Sequence, residues 1–333
     1  MEKLRLAIVG CGVAARELHL PALKKLSNRI EITALVSRTM EKAKSLAELV
    51  EPRPHVFKSF NELVNSGIAE AVDLALPTSL NPEFIEKAVV NGLHVIAEKP
   101  IAVNVKEGKK VLELAKTNQN VIYIAENYRH FSIYRKAFKI INSGRIGIPA
   151  LLIWRSIKLI DKNNKYAQTN WRQHPMHIVG FISDAGVHHI AAIRTMLGDV
   201  KEVIAYLKRV RDYLGAEDSI TMNLLLKSGI VGNYIASYGL NFKDEIAVVG
   251  TEGNLRIGEN TLKIETSRGI ETLNFPKEDS FFKEFLDFYE VVKQGAENKL
   301  GSTLEALKDL AVIEAAVRSF HERRSVEVDE LLE

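Results

Sequence analysis

The chain of 333 residues is poor in cysteine, has no long apolar run and carries little excess charge of either sign. Cys11 is the only cysteine, which excludes an intrachain disulfide and a metal cluster held by several thiolates. No apolar stretch approaches the length that crosses a bilayer. The 45 basic residues nearly balance the 42 acidic ones and are scattered, so no nucleic-acid partner is expected.

What is present is the composition of an ordinary globular protein, with 46% hydrophobic and 26% charged residues and no internal repeat. The length suits two domains, each large enough to form its own core. No signal peptide precedes the first strand-like run and no membrane partner is indicated, so we expect a cytoplasmic protein.

Residues 6–15, LAIVGCGVAA, have the pattern of a buried strand, a glycine-rich turn and the start of a helix. In the spacing G-x-G-x-x-A, Gly10 permits a tight turn and Gly12 lets the backbone approach a pyrophosphate. Ala15 is small enough for the helix to pack closely on the strand, and the free N–H groups of the helix favour phosphate. We therefore predict a dinucleotide site here. Its predicted contacts also include Val13 and Ala14.

The end of the second strand indicates which dinucleotide is preferred. The run from Ile32 to Val36 ends in Ser37 and Arg38, where an NAD-binding unit usually has Asp or Glu for the ribose hydroxyls. A hydroxyl and a guanidinium suit a 2′-phosphate, and Arg38 can also stack on adenine. The alternative is a surface arginine beside a helix that Ser37 or Thr39 caps. We predict NADP, with NAD also possible.

The first part of the chain alternates apolar strand-like runs with amphipathic helical ones, which predicts a parallel sheet covered on both faces. From residue 150 onward, β-rich runs with turn residues between them predict a mostly antiparallel sheet with one open face. The fold class is therefore α/β, with a Rossmann dinucleotide-binding domain at 1–125 and a C-terminal α+β domain at 126–333. The last helices could pack back on the first domain, and GRIGIP, 144–149, has the pattern of an interdomain break.

Glu98 ends the strand-like run 93–98, and Lys99 and Pro100 follow it at the sheet edge where ligands of such folds bind. A lysine at this place can exchange a proton with a substrate hydroxyl or polarise it. Pro100 fixes the backbone after the lysine, and a cis peptide bond is one way to do so. The alternative is a strand-ending turn whose charges pair with each other.

Asp184 and His188 are four residues apart and share one face if their segment is helical. A carboxylate so placed can orient an imidazole, which can exchange a proton with a hydroxyl. His189 points about 100° away around the helix. The alternative is that Asp184 is a helix cap and His188 an exposed or core histidine.

Two more histidines, His174 and His177, precede this pair, and four histidines near an aspartate could bind zinc. Because His188 and His189 are adjacent on the predicted helix and cannot easily face one ion, we predict no metal site. Polar lining of a substrate cleft is the preferred interpretation. The predicted substrate contacts are Tyr128, Trp171, Arg172 and His189, with Trp171 and Arg172 suited to packing on a sugar ring.

Taken in order, these segments resemble the family named after glucose–fructose oxidoreductase, inositol dehydrogenase and the rhizopine-catabolism protein MocA. The resemblance extends over nearly the whole chain and implies a dinucleotide domain followed by an α/β domain with an open antiparallel sheet. It also implies homodimers or homotetramers formed through that sheet. The segments are GCGVAA, LPTSLNPEFIEKAVVNGLHVIAEKP, ENYRHF, GRIGIP, NWR, DAGVHHIAAIRTMLG and VVGTEGNLRI.

By this resemblance Lys99, Asp184 and His188 match the family's catalytic residues. His188 would be the acid/base on the reacting oxygen, assisted by Asp184, and Lys99 would fix and polarise the same oxygen. The hydride would move between nicotinamide C4 and the substrate carbon. Further predicted cofactor contacts are Pro77, Thr78, Asn81, Glu98 and Lys99.

The chain departs from the family at three positions. Ala191 stands where a second aspartate is common, Asn81 where a histidine is frequent, and Phe181 replaces one glycine of a pair. A less acidic and more apolar pocket results, which favours a sugar derivative, dihydrodiol or smaller carbonyl compound over a highly hydroxylated inositol.

The resulting prediction is an NADP(H)-preferring oxidoreductase that acts on a CH–OH group, or its carbonyl, in a sugar-like, polyol or cyclic diol substrate. Two alternatives stay open. One is a nucleotide-binding regulator of the same fold without turnover. The other is a sugar–sugar oxidoreductase that holds its cofactor tightly.

Overall fold

The computed structural model describes residues 2–176 and 178–333 and divides the chain into two compact units. Unit 1 comprises Met1–His130 and Asp279–Leu307, and unit 2 comprises Phe131–Glu278 and Lys308–Glu333. The segment 144–149 lies inside unit 2, so the interdomain break predicted there is wrong. Among the predicted histidines, His177 lies outside the described residues.

Unit 1 contains a six-stranded parallel sheet in the order β3-β2-β1-β4-β5-β6. The strands are β1 (Leu4–Val9), β2 (Ile30–Val36), β3 (His55–Phe57), β4 (Ala71–Leu74), β5 (His94–Glu98) and β6 (Ile122–Ala125). The strand order reverses between β1 and β4, since β2 and β3 are added on one side and β5 and β6 on the other. Ligands of such sheets bind at this reversal, beyond the carboxyl ends of the strands. The arrangement confirms the predicted Rossmann fold. The sequence analysis missed β3, which has only three residues.

Helices connect these strands and cover the sheet. Residues Ala15–His19 form a π-helical segment that continues into α1 (Leu20–Lys25). The others are α2 (Met40–Ala47), α3 (Phe60–Ser66), α4 (Asn81–Val90) and α5 (Val105–Thr117). The start of α5 shows why a helix forms there, because the side chain of Asn104 accepts a hydrogen bond from the N–H of Glu107 at 2.9 Å.

Unit 2 is built on a nine-stranded sheet in the order β14-β13-β12-β11-β7-β10-β9-β8-β15. All neighbours are antiparallel except β7 and β10, which confirms the mostly antiparallel sheet. The strands are β7 (Pro149–Ile157), β8 (Val200–Lys208), β9 (Ser219–Leu226), β10 (Val231–Ser237), β11 (Glu245–Gly250), β12 (Gly253–Ile257), β13 (Thr261–Thr266), β14 (Gly269–Asn274) and β15 (Val326–Glu327).

One face of this sheet is buried and the other is open. Along β9, Met222 and Leu224 are buried while Thr221 and Asn223 are exposed. The buried face packs against α8 (Phe181–Leu197), which follows α6 (Ser132–Asn142) and the short α7 (Asn170–Gln173). The packing explains why α8 is apolar around most of its circumference.

Three helices end the chain, namely α9 (Ser280–Gln294), α10 (Thr303–Glu322) and α11 (Asp329–Leu332). Phe285, Phe288 and Tyr289 of α9 are at most 1% exposed and belong to the core that contains β1 and β2. Unit 1 is therefore completed by a segment from late in the sequence. Among the described residues, no helix is long and apolar enough to cross a membrane.

A charged network joins α8 and α10 within unit 2. The buried Arg194 donates to Asp309 at 2.6 Å and to Asp199 at 2.6 Å, and Lys308 donates to Asp199 at 2.9 Å. Burial alone would raise the pKa of Asp199, but hydrogen bonds from Lys308 and Arg194 lower it to about 2. These carboxylates therefore compensate a charge that is expensive to bury.

Replacing Asp309 with alanine tests this network. Asp309 is 2% exposed, so Asp309→Ala removes a carboxylate from a buried guanidinium and is expected to lower the free energy of unfolding by about 3–5 kcal/mol. The matched control is Asp329→Ala, which removes the exposed ion pair with Lys227 and should cost about 1 kcal/mol or less. Denaturant unfolding measures both, and equal losses would contradict a structural role for the buried pair.

Candidate functional site

The glycine-rich turn after β1 has two glycines that are required for different reasons. Gly10 has φ +100°, and a Cβ added there would lie 2.3 Å from the backbone oxygen of Ala75. The protein itself therefore excludes any other residue at position 10. At Gly12 an added Cβ would meet nothing within 4 Å, so the glycine leaves open space beside the backbone. This space fits the close approach of a dinucleotide pyrophosphate.

Cys11 lies between these glycines and behaves as an apolar residue. Its side chain is 6% exposed, and burial raises the pKa of the thiol to about 11. The neighbouring helix start does not make this thiol reactive.

The residues after β2 leave a guanidinium in solvent. The hydroxyl of Ser37 accepts a hydrogen bond from the N–H of Thr39 at 3.1 Å, while Thr39 occupies the N-cap position of α2 without a side-chain cap bond. Neither hydroxyl makes a side-chain cap bond to α2, but Thr39 stands at the N-cap position, so the alternative of a surface arginine beside a helix cap stays open. Arg38 is exposed, and no acid within the described part of the chain pairs with it.

The turn after β5 holds Lys99 at the carboxyl edge of the parallel sheet. The Lys99–Pro100 peptide bond is cis, and the N–H of Lys99 donates to the Glu98 carboxylate at 3.2 Å. Lys99 is partly exposed. The amide nitrogen of Asn81 donates to the carbonyl of Glu98 at 2.6 Å and to that of Pro100 at 2.9 Å. One side chain at the start of α4 therefore fixes the backbone on both sides of Lys99.

Asn81, a predicted cofactor contact, is buried. It is 0% exposed, its amide nitrogen donates to the turn and its Oδ1 has no hydrogen-bond partner among the described residues, so its cofactor contact stays a prediction. Thr78 is also buried, at 2% exposed, whereas Pro77, Val13 and Ala14 are partly exposed. The cofactor contacts predicted for these four residues stay predictions.

A buried histidine that the sequence analysis missed lies behind this turn. His19, at the end of the π-helical segment, is 1% exposed. Its Nδ1 lies 2.8 Å from Asp73 Oδ2 and its Nε2 lies 2.9 Å from Glu98 Oε1. Burial alone would lower the pKa of His19, but Asp73 and Glu98 raise it well above its usual value. Its only signal in the sequence is a lone histidine in a mostly apolar helical run.

Two further acids are buried in the same unit. Glu284 of α9 is 0% exposed, and neither of its carboxyl oxygens has a hydrogen-bond partner among the described residues. Burial, followed by repulsion from Glu98, raises the pKa of Glu284 well above its usual value. Glu126, after β6, is 2% exposed and accepts a hydrogen bond from the N–H of Tyr128 at 3.1 Å.

In unit 2, α8 carries both predicted proton-transfer residues. Asp184 is 6% exposed, and His188, one turn later, is partly exposed. Asp184 Oδ2 accepts a hydrogen bond from Arg172 Nε at 2.8 Å, which is a contact that the spacing alone did not predict. The Arg172 guanidinium lies 3.9 Å from the centre of the Trp171 ring and 5.1 Å from that of Tyr166. Asp184 thus holds an arginine against two aromatic rings.

The contacts of His189 do not support the substrate role predicted for it. His189 is 8% exposed, its Nδ1 lies 2.9 Å from the hydroxyl of Tyr234, and its ring lies 5.2 Å from that of Trp154. These contacts give the ring a packing role inside unit 2. His174 is exposed. Over residues 2–176 and 178–333, no three side chains of the metal-binding types are placed to hold an ion together.

The structure therefore assembles two groups of predicted residues, one in each unit. In unit 1, Lys99, Glu98 and Asn81 meet at the turn after β5. In unit 2, Arg172 of α7 contacts both Trp171 and Asp184, and His188 lies one turn after Asp184 on α8. The sequence analysis missed His19, Asp73 and Glu284, which lie behind the first group.

Comparison with known proteins agrees with this architecture. An oxidoreductase from Thermotoga maritima is 47% identical, aligns over 99% of this chain and 100% of its own, and superposes with a TM-score of 0.96. The uncharacterized protein YMR315W of Saccharomyces cerevisiae is 30% identical over 96% of both chains. A D-apiose dehydrogenase from Paraburkholderia graminis is 23% identical over 99% of this chain and 91% of its own.

Two family models account for most of the sequence. The oxidoreductase family model with an NAD-binding Rossmann fold matches residues 4–126, and the model of its C-terminal alpha/beta domain matches residues 139–328. Both matches name the family that the sequence motifs resemble. The chain therefore belongs to the oxidoreductase family named after glucose–fructose oxidoreductase, inositol dehydrogenase and MocA.

Proposed function

We propose that the protein is an NADP(H)-preferring oxidoreductase that interconverts a CH–OH group and a carbonyl in a sugar-like, polyol or cyclic diol substrate. The observation that carries this proposal is the turn after β5, where Asn81 fixes the carbonyls of Glu98 and Pro100 and so holds Lys99 in place. A lysine held at the carboxyl edge of a Rossmann sheet is suited to bind the oxygen of a reacting hydroxyl.

In the oxidation direction, the substrate carbon loses a hydride and its hydroxyl loses a proton, leaving a carbonyl. A nicotinamide dinucleotide, when bound, supplies the hydride acceptor at C4. We assign the proton to His188, with Asp184 on the same face of α8 to stabilise the charged imidazole. Lys99 fixes and polarises the substrate oxygen. In the reduction direction the same groups act in reverse.

The substrate class rests on three features. The D-apiose dehydrogenase relative acts, by its name, on a sugar. Ala191 is 0% exposed and Phe181 is 4% exposed, so neither position offers a polar group to substrate hydroxyls. Trp171, stacked with Arg172, offers an aromatic ring of the kind that packs on sugars. A moderately hydroxylated substrate fits this combination.

Association of subunits through the open sheet face is the second part of the proposal. Tyr206 on β8 is 72% exposed, Val231 on β10 is 50% exposed and Leu151 on β7 is 49% exposed. Strand register puts all three on the open face of the sheet of unit 2. An apolar surface of this kind supports a homodimer or homotetramer. The cytoplasmic location stays a prediction.

Cofactor preference is tested by Arg38→Ala. Loss of a guanidinium that binds a 2′-phosphate is expected to weaken NADPH binding by about 10- to 100-fold while NADH binding changes by less than about threefold. The matched control is Arg29→Ala, because Arg29 precedes the amino end of β2 and Arg38 follows its carboxyl end. Titration by nucleotide fluorescence measures the affinities of the unsubstituted protein and of both variants for NADPH and for NADH. Equal losses of NADPH and NADH would refute the 2′-phosphate contact.

The role of Lys99 is tested by Lys99→Met. Without the amine, turnover should fall by about two to four decades, while the dissociation constant for NADPH changes little. Lys106→Met on the exposed face of α5 is the control and should keep full activity. Turnover is followed at the reduced nicotinamide absorbance in a screen of sugars, polyols and diols. Unchanged turnover in Lys99→Met would remove Lys99 from the mechanism.

The proton-transfer role of His188 is tested by His188→Asn. Asparagine keeps hydrogen bonding but cannot take the proton, so kcat should fall by about 10²- to 10⁴-fold. The control His321→Asn removes an exposed histidine from α10 and should leave kcat unchanged. A His188→Asn enzyme with the kcat of the unsubstituted protein would assign the proton to another group. If no compound in the screen is turned over while NADPH binds, the regulator alternative gains support.

A further inference from the structure

Both nitrogens of the His19 ring face carboxylate oxygens inside unit 1. Asp73 Oδ2 lies 2.8 Å from Nδ1 and Glu98 Oε1 lies 2.9 Å from Nε2. A neutral imidazole carries a single N–H and can donate to only one ionised carboxylate. An imidazolium can donate to both at once. The alternative that satisfies both contacts is a neutral ring with a protonated carboxyl group on one side.

The Glu98 carboxylate continues this chain of contacts to the turn. Its Oε1 faces His19, and its Oε2 accepts a hydrogen bond from the N–H of Lys99 at 3.2 Å. Both ends of the carboxylate are thus engaged, one by a fixed side chain and one by the backbone of the turn. Movement of His19 would therefore displace the Lys99 backbone.

We propose that His19 is a buried imidazolium that positions Glu98 and, through it, the Lys99 turn for catalysis. This inference rests on the proposed function of Lys99. Asn81 holds the carbonyl groups of the turn, whereas His19 holds its carboxylate, so the turn is fixed from two sides. His19 is a positioning residue, since its ring is 1% exposed and both of its nitrogens face carboxylates of the protein.

The other charged groups around His19 fit this assignment. Asp73 and Glu98 supply two negative charges to one imidazolium, and the charges of Glu98, His19, Glu126 and Asp73 all act on the buried Glu284. Burial and, next, repulsion from Glu98 raise the pKa of Glu284 and so disfavour its ionised form. Phe281 and Phe285 of α9 pack against the imidazole at ring-centre distances of 6.1 and 5.3 Å and exclude water from it.

Two neutral substitutions distinguish the contact of the His19 ring with Glu98 from its contact with Asp73. In His19→Gln the amide nitrogen can reach the place of Nε2 and donate to Glu98, whereas in His19→Asn it can reach only the place of Nδ1 and donate to Asp73. Both remove the charge equally. We expect His19→Asn to lower kcat by about 10- to 100-fold, with KM and NADPH affinity within about threefold of their original values. The loss of kcat in His19→Gln should be at least about fivefold smaller than the loss in His19→Asn.

Thermal unfolding of both variants controls for stability. A purely structural role predicts that kcat follows the fraction folded, so that two equally stable variants have equal kcat. Equal kcat values for folded His19→Asn and His19→Gln would therefore overturn the positioning role. If Lys99→Met keeps its turnover, the proposed role of Lys99 is refuted. The charge of His19 is then tested separately by the NMR measurement below.

The charge of His19 is measured in the unsubstituted protein by nitrogen-15 NMR of its ring. The signal is assigned among those of the 9 histidines by its loss in His19→Gln or, should that variant not fold, by its loss in His19→Asn. Both nitrogens should carry the shifts of an imidazolium at pH 7 and keep them at pH 8, where an ordinary histidine is neutral. A ring with one protonated and one bare nitrogen at pH 7 would overturn the inference.

Discussion

The placement of Lys99 depends on a pair of hydrogen bonds from one buried amide. Asn81 donates to the carbonyls of Glu98 and Pro100, which flank the lysine. Buried carbonyl groups without partners are costly, so this contact decides which conformation the turn can adopt. The parallel sheet brings the two elements together, because α4 begins and β5 ends at the same edge. At position 81, where the chain departs from the family, the side-chain amide thus performs a structural task.

The interior behind this turn contains several buried ionisable side chains. Asp73 is 1% exposed within β4, and Glu284 is 0% exposed on α9. Buried carboxyl groups are tolerated when a cation compensates them or when they hold a proton. Asp73 and Glu98 both contact His19, while burial and repulsion from Glu98 raise the pKa of Glu284. The interior on this side of the sheet is therefore organised by charge as much as by apolar packing.

The sequence was sufficient for the features that depend on local pattern. Glycine spacing, strand periodicity and the i, i+4 placement of Asp184 and His188 predicted the Rossmann unit, the β-rich unit and the faces of α8. It was insufficient for contacts between residues distant along the chain. His19, Asp73 and Glu98 come together only through the strand order, and Arg172 reaches Asp184 only through the loop that precedes α8.

The discontinuity of unit 1 has a consequence for how the protein is made. Phe285, Phe288 and Tyr289 belong to the core around β1 and β2, yet residues 131–278 are translated before them. The nascent unit 1 therefore leaves the ribosome with the apolar surface that α9 covers still exposed. This surface stays exposed until α9 emerges. Domains usually fold as they are synthesised, from the N-terminus onward, but here unit 1 lacks α9 until most of unit 2 has been translated. A translation pause before codon 280 would prolong the exposure of that surface to chaperones and to aggregation.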